Sequence, residues 1–403
     1  MTAPTALALA GVRVVELAAG IAGPYAAKLL ADLGAEVVKI EPPEGGDYAR
    51  RCGPFPDHRP HPERSGLFLY LNTNKLGVTL NLDASPGRTL FLKLIAQADV
   101  LLEDRTPGWL TTRGLGYETL RQQRPELVMT SVTRFGQDGP QATYHAYPLT
   151  TFHAGGEGYT LPGRLSLELF PDRAPVQAGG SLGEYDSGLC AAVVTLGALL
   201  SGVGQHVDLS QQEALLNLNR PMLAYYLATG EVISRQRGYA FGGTIPCRDG
   251  YIMLRPIEDN HWRALARAMD QEELAEDERF RTRQARTDNG ALLNDLIVAW
   301  AMQHTRVALY ERVAAAGCPV GYFATAEDVV QAPQLAAREF FVSSTHPEAG
   351  SVLLPSAPYG LSHTPWTLRR PAPLLGQHNR EVWCDRLGCD AAELARWHTT
   401  GVL

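Results

Sequence analysis

VRVVELAAGIAGPYAAKLLADLGAEVVKIE, residues 12–41, decides the fold. Residues 12–17 alternate as a strand, Pro24 suits a first helical turn, and Gly34 stops the helix that YAAKLLADLG builds. AEVVKIE then reads as a second strand. Strand, glycine-containing turn, helix and strand in that order form a βαβ unit, and the handedness of such units makes the two strands parallel.

The pattern recurs outward from this stretch. VTLNL (78–82) reads as a strand, Pro86 to Ala96 as an amphipathic helix, ADVLLE as a strand, 117–124 as a helix and LVMTSVTRFG as another strand. The expected class is α/β, an open Rossmann-like parallel sheet. Ligands of such sheets sit outside the carboxyl ends of the strands, at the switch point of strand order. A helix of small apolar residues follows at 187–200, then a strand at 205–209 and a capping box, Ser210-x-x-Glu213, that opens a further helix.

The character changes near Gly238. GYAFGGTIPCRDGYIMLRP holds a glycine-rich entry, a turn at Arg248-Asp249-Gly250 and a strand, and charge-rich helices run from 260 to 316. These features mark a smaller α+β domain. The expected organisation is 1–213 as the first part of the large α/β domain, 214–237 as a linker, 238–320 as the small domain, and 321–403 as a linker and return to the large domain.

Composition narrows the function. The 403 residues carry a formal charge of -7 and no long Lys/Arg run, which argues against nucleic acid or an anionic membrane as partner. No basic segment precedes the apolar letters of the N-terminus, so no signal peptide is expected. The apolar run Leu189 to Gly204 is shorter than the roughly 20 residues of a membrane span and reads as a buried helix. Six cysteines without CxxC spacing speak for a reducing cytoplasm and against a zinc knuckle or disulfide framework. His58-x-x-His61 lies in a Pro- and Arg-rich segment and lacks the third ligand of a metal site.

Chemistry concentrates in SLGEYDSGLCAAVVTLGALL, residues 181–200, where Glu184 and Asp186 precede the buried run. A helix N-terminus stabilises a carboxylate there, while burial raises its pKa. Such a group is either a plain capping residue or a nucleophile that attacks an activated acyl carbon to form a mixed anhydride. The oxyanion needs amide donors, and Gly155, Gly156, Gly242 and Gly243 are the candidates. A competing reading takes Gly179-Gly180-Ser181-Leu182-Gly183 as the nucleophile elbow G-x-S-x-G, but DRAPVQAG before it makes a poor buried strand. Lys75, Arg50, Arg51, Arg105 and Arg113 are candidate phosphate ligands.

The segments GVRVVELAAGIAGPYAAKLLADLGAEVVKIEPPEGGDYAR, LNTNKLGVTLNL, ADVLLEDRTPGWLTTRGLGYE, VTRFGQDGP, GCPVGYFATAEDVVQAPQLAAREFF and PAPLLGQHNREVW together resemble the family III coenzyme A transferases, a group that extends to the α-methylacyl-CoA racemases. The resemblance runs from about residue 11 to 383. It implies a large domain built from both chain ends, a smaller central domain, and a homodimer whose subunits are threaded like linked rings. It also implies acyl-CoA and a carboxylic acid as substrates, with no tightly bound cofactor and no metal.

The resemblance places Glu184 where the transferases carry a nucleophilic Asp, with Asp186 ranked below it and Tyr147 as a second catalytic position. It assigns CoA contacts to the backbone of Ile21 and Ala22, to Leu71, Asn72, Asn74 and Lys75, to Asp104, Arg105 and Arg113, and to His145. The sequence departs from the family pattern in Glu for Asp, in Leu76 where an Arg is frequent, and in Arg105 and Arg113, each displaced by one. Ala146-Tyr147-Pro148 occupies the place of the racemase His.

The implied activity is acyl-CoA:carboxylate CoA transfer through a glutamyl mixed anhydride and a glutamyl-CoA thioester. The alternatives are enolate-type racemisation and a CoA-binding paralog without chemistry. Segments 151–175 and 238–260, with Phe152, His153, Tyr159 and Phe241, are expected to line the acyl pocket.

Overall fold

The computed structural model describes residues 7–161, 163, 170–218, 220–233 and 240–403. Parts of both segments expected to line the acyl pocket, 162, 164–169 and 238–239, lie outside the described residues, as do 219 and 234–237 of the expected linker.

Six parallel strands form the main sheet: β1 (Arg13–Leu17), β2 (Glu36–Glu41), β3 (Lys75–Thr79), β4 (Val100–Glu103), β5 (Val128–Thr133) and β6 (Gln205–Ser210). Their order is β3-β2-β1-β4-β5-β6. The chain builds leftward from β1, then returns to its other side, so the switch point lies between β1 and β4.

Period-two alternation sends side chains to two cores. Val14, Val37, Val100, Leu102 and Val128 face α1 (Ala22–Asp32), while Val15, Val38, Leu76, Leu101 and Met129 face the layer of α3 (Ser85–Ile95). Two further helices belong to this unit: α2 (Gly66–Leu71), whose Phe68 and Leu69 pack with Ala49 and Ala372, and α4 (Tyr117–Gln123), whose Leu120 joins the core on the α3 side. The second core is closed by the far end of the chain. Trp383 and Val382 are fully buried in it, and Asn81 N donates to Val402 O at 2.8 Å.

After α5 (Pro148–Ala154) comes α6 (Leu182–Ser201), which packs on α1 through Ala191, Ala192 and Ala198. Small residues on both helices allow this close approach. The expected start at 187 is corrected by five residues: Glu184 and Asp186 stand inside the helix rather than ahead of it. The capping box forms in part, with Glu213 N donating to Ser210 Oγ at 3.3 Å at the start of α7 (Gln211–Leu218). Most of the stretch expected as a linker is therefore helical, through α7 and α8 (Arg220–Thr229).

By compactness the first unit comprises Met1–Gly158, Gln177–Gly230 and Ala337–Leu403, and the second Tyr159–Val176 with Glu231–Ala336. The second unit carries an antiparallel sheet of β7 (Gly243–Cys247), β8 (Gly250–Leu254) and β9 (Val320–Tyr322). Helices including Asp259–Ala268 and Gly290–Ala301 enclose its core of Trp262, Phe280, Leu293 and Ile297. Among the described residues no helix is long and apolar enough to cross a membrane.

Candidate active site

A cavity of about 320 Å³ opens at the switch point. Ala19, Ile21 and Ala22 line it from the turn after β1, Asp104 and Arg105 from the end of β4, Thr133 and Arg134 from the end of β5, and Gln211 from the end of β6. Parallel strands deliver all these residues to the same edge of the sheet. α1 begins here with no side-chain cap on Ile21, so the first amides of the helix, ahead of Pro24, remain available to an anion.

Glu184 enters the cavity from the first turn of α6 and is only 6% exposed. The turn before it is tight: Gly180 (φ 73) and Ser181 (φ 56) take left-handed backbone, and Glu184 N donates to Ser181 O at 3.0 Å. Burial pushes the Glu184 carboxyl above the usual range, against the pull of the Arg134 guanidinium and of its own backbone amide. A desolvated carboxylate with a cation nearby is a strong nucleophile that is still ionisable.

Tyr48 completes this wall, its hydroxyl resting over Gly20, where a Cβ would stand 1.7 Å away. Desolvation and the carboxylates of Asp104, Asp47 and Glu184 push the phenol up to about 12, so it is a neutral donor. Asp104 Oδ2 accepts from Ala19 N at 2.8 Å, tying the end of β4 to the turn after β1. Its pKa is pushed up to about 6 by desolvation, with Arg105 pulling the other way.

Of the residues singled out from sequence, the cavity thus gathers Glu184, Ile21, Ala22, Asp104, Arg105 and His145. Asp186, two residues along α6, does not line it and instead acts electrostatically on Tyr25 of α1. Tyr147 precedes α5 with 78% of its surface exposed and is not part of the lining.

Four expected CoA contacts lie elsewhere. Leu71, Asn72, Asn74 and Lys75 are buried. Lys75 Nζ donates to Pro24 O at 2.8 Å and Asn72 Oδ1 at 3.0 Å, and lies 2.8 Å from Glu16 Oε2. Glu16 is shared with Lys39 at 2.8 Å. Asn74 Nδ2 donates to Asp32 Oδ1 at 2.8 Å. Removing Lys75 would leave the buried Glu16 carboxylate with Lys39 as its remaining cation, and Lys75 and Asn74 tie this segment to α1 at Pro24 and Asp32. Arg113 is likewise spent on Asp83, at 2.6 Å, and stacked on Trp109. Arg50 is paired with Glu41 and Glu63.

The candidate oxyanion glycines have occupied amides. Gly155 N donates to Thr151 O at 2.8 Å and Gly156 N to His153 O at 3.0 Å, closing the end of α5. In the second unit, Gly242 N donates to Asn294 Oδ1 at 2.9 Å, and Gly243 pairs with Leu254 in the sheet. The hydrolase elbow is not formed, because no strand leads into Ser181 among the described residues.

Sequence reasoning missed Tyr48, Thr133, Arg134 and Gln211. The available signal was position: each follows or ends a strand at its carboxyl end, in GGDYAR, SVTRFG and DLSQQ.

A family profile described as CoA-transferase family III matches residues 9–379. The chain is 36% identical over 396 residues to a succinyl-CoA–D-citramalate CoA-transferase of Chloroflexus aurantiacus, covering 95% of each chain. It is 30% identical over 426 residues to a formyl-CoA:oxalate CoA-transferase of Streptomyces coelicolor, covering 99% of this chain and 100% of the other. Among solved structures, a CaiB/BaiF family protein from Brucella suis superposes with a TM-score of 0.82 at 31% identity, over 94% of this chain and 98% of that one.

Proposed function

The chain belongs to CoA-transferase family III, and from that premise we propose that it moves CoA from an acyl-CoA to a free carboxylic acid by way of Glu184. The observation that carries this reading is the position of Glu184: a nearly buried carboxylate in a cavity at the switch point, beside the uncapped start of α1.

Glu184 attacks the thioester carbonyl carbon of the donor, the C–S bond breaks, and CoA leaves as thiolate. The thiolate then attacks the Glu184 carbonyl of the mixed anhydride, releasing the donor acid and leaving a glutamyl-CoA thioester. The acceptor acid reverses both steps. The Tyr48 hydroxyl is the donor we assign to the oxyanion, since it lines the cavity beside Glu184 and stays protonated. Amides at Ile21 and Ala22, with Arg105 and His145, receive the anionic portion of CoA.

The protein acts in this reading as a cytoplasmic homodimer without a tightly bound cofactor. An exposed apolar face on α6, including Leu189, Val193 and Leu200, supports association of two copies. The two relatives are named for succinyl-CoA with D-citramalate and for formyl-CoA with oxalate, which makes those pairs the first to assay. The test is mass spectrometry after incubation with succinyl-CoA alone. A CoA adduct on Glu184, absent in Glu184→Gln, is expected; full transfer by Glu184→Gln would refute the role of this residue.

A further inference from the structure

The cavity contains a cation to which the transfer steps above give no task. Arg134 follows β5 and is held at two points: its carbonyl accepts from Gln212 N at 3.2 Å, and its Nη1 donates to Gln211 Oε1 at 2.6 Å. Gln211 is itself buried. A guanidinium carries five N–H donors, and Arg134 forms no ion pair among the described residues. Next to it Thr133, 5% exposed, has a hydroxyl oxygen with no hydrogen-bond partner, and both residues line the cavity. Desolvating a hydroxyl without a partner is costly, so this edge is built to receive an acceptor group from a ligand.

Resting on the transferase reading, we propose that Arg134, together with the Thr133 hydroxyl, binds the carboxylate of the incoming acid, and does so once Glu184 has been converted to its CoA thioester. The charge balance gives the order. While Glu184 is ionised, its charge offsets part of the field of Arg134 across the cavity and repels a second carboxylate. Acylation removes that negative charge and leaves Arg134 facing an uncharged thioester in a poorly solvated cavity, where its attraction for an anion is strengthened. The acid then docks with one carboxylate oxygen on the guanidinium and the other toward the thioester. That oxygen attacks the glutamyl carbonyl carbon, and CoA leaves as thiolate. The thiolate attacks the acceptor's acyl carbon, and the electron pair of the broken C–O bond returns to Glu184. No proton or further reactant is needed. Arg134 thereby enforces donor-before-acceptor order, and Gln211 is the residue that positions it.

The two halves of the reaction separate this role from a structural one. Loading is read at pH 8 as the CoA adduct formed from succinyl-CoA without acceptor. Discharge is read by adding oxalate or D-citramalate to the loaded enzyme. Arg134→Gln is expected to load within about threefold of the wild-type rate while its half-saturating acceptor concentration rises about tenfold or more, as loss of a charge-assisted contact requires. Arg134→Lys is expected to recover part of the loss. Unchanged acceptor saturation in Arg134→Gln, or equal loss of loading and discharge, would overturn the assignment. A wild-type chain that never takes up CoA would refute the transferase reading itself, and the role of Arg134 with it.

Discussion

Gly188 of α6 lies against the main chain of Ala22 at the start of α1: a Cβ at Gly188 would stand 2.5 Å from the Ala22 carbonyl oxygen and 3.2 Å from Tyr25 Cβ. This contact sets the height of α6 above α1 one turn after Glu184, and so couples the proposed nucleophile to the amide end of α1 in the same cavity.

Gly188→Ala is therefore expected to destabilise the protein by about 1–3 kcal/mol, the usual cost of overpacking a tight contact. It is also expected to slow loading of Glu184 at least about tenfold, because a displacement near 1 Å is enough to spoil attack geometry. At Gly197 of the same helix an added Cβ would meet nothing within 4 Å. Gly197→Ala is expected to stabilise by roughly 0.5–1 kcal/mol through backbone entropy and to leave loading unchanged. Urea titrations and adduct kinetics on both variants check the pair.

In the proposed mechanism, loading of Glu184 requires its carboxylate. Burial raises the pKa of this group, and Arg134 is the principal charge opposing the rise. The acid limb of the loading rate is expected to fall at a pH above that of a free glutamate, and Arg134→Gln should move the midpoint higher still. A midpoint that stays in place in Arg134→Gln would show that the guanidinium does not act on Glu184. The profile is measured as adduct formation against pH.

On the opposite face of β4, Glu103 is a buried carboxyl whose pKa is pushed up to about 7 by desolvation, although the Ser131 hydroxyl and Arg105 N, at 2.7 Å, bond to it. The folded value is raised, so its favourable contribution is complete below the unfolded pKa and is lost as pH rises through about 7. Glu103→Gln keeps an acceptor for both bonds and removes the charge. It is expected to stabilise the fold at pH 9 by up to about 3 kcal/mol and at pH 5 by about 1 kcal/mol or less. Thermal melts at the two pH values test this, and an equal shift at both would contradict it.

Much of the fold was legible because its signals are local. Alternation in VRVVEL, the stop at Gly34 and the repeat of strand and helix specify parallel strands before any contact is known. A carboxylate just ahead of a run of small apolar residues likewise singled out Glu184. Helix starts were less legible: α6 begins at Leu182 through left-handed backbone at Gly180 and Ser181, a turn that side-chain periodicity does not encode.

The sequence by itself determined the elements, the face each apolar residue takes, and the presence of a carboxylate at the mouth of a buried helix. Only the tertiary structure decided where the polar side chains end. Lys75 and Asn74 are consumed by Glu16 and Asp32 beneath α1, whereas Tyr48, Thr133, Arg134 and Gln211 meet in the cavity from the last residue of β5 and from beyond the ends of β2, β5 and β6. The reason is physical: apolar burial depends on a residue's own character and spacing, but the fate of a charge depends on which partner the folded chain brings within a few ångströms, and that partner is far away in sequence.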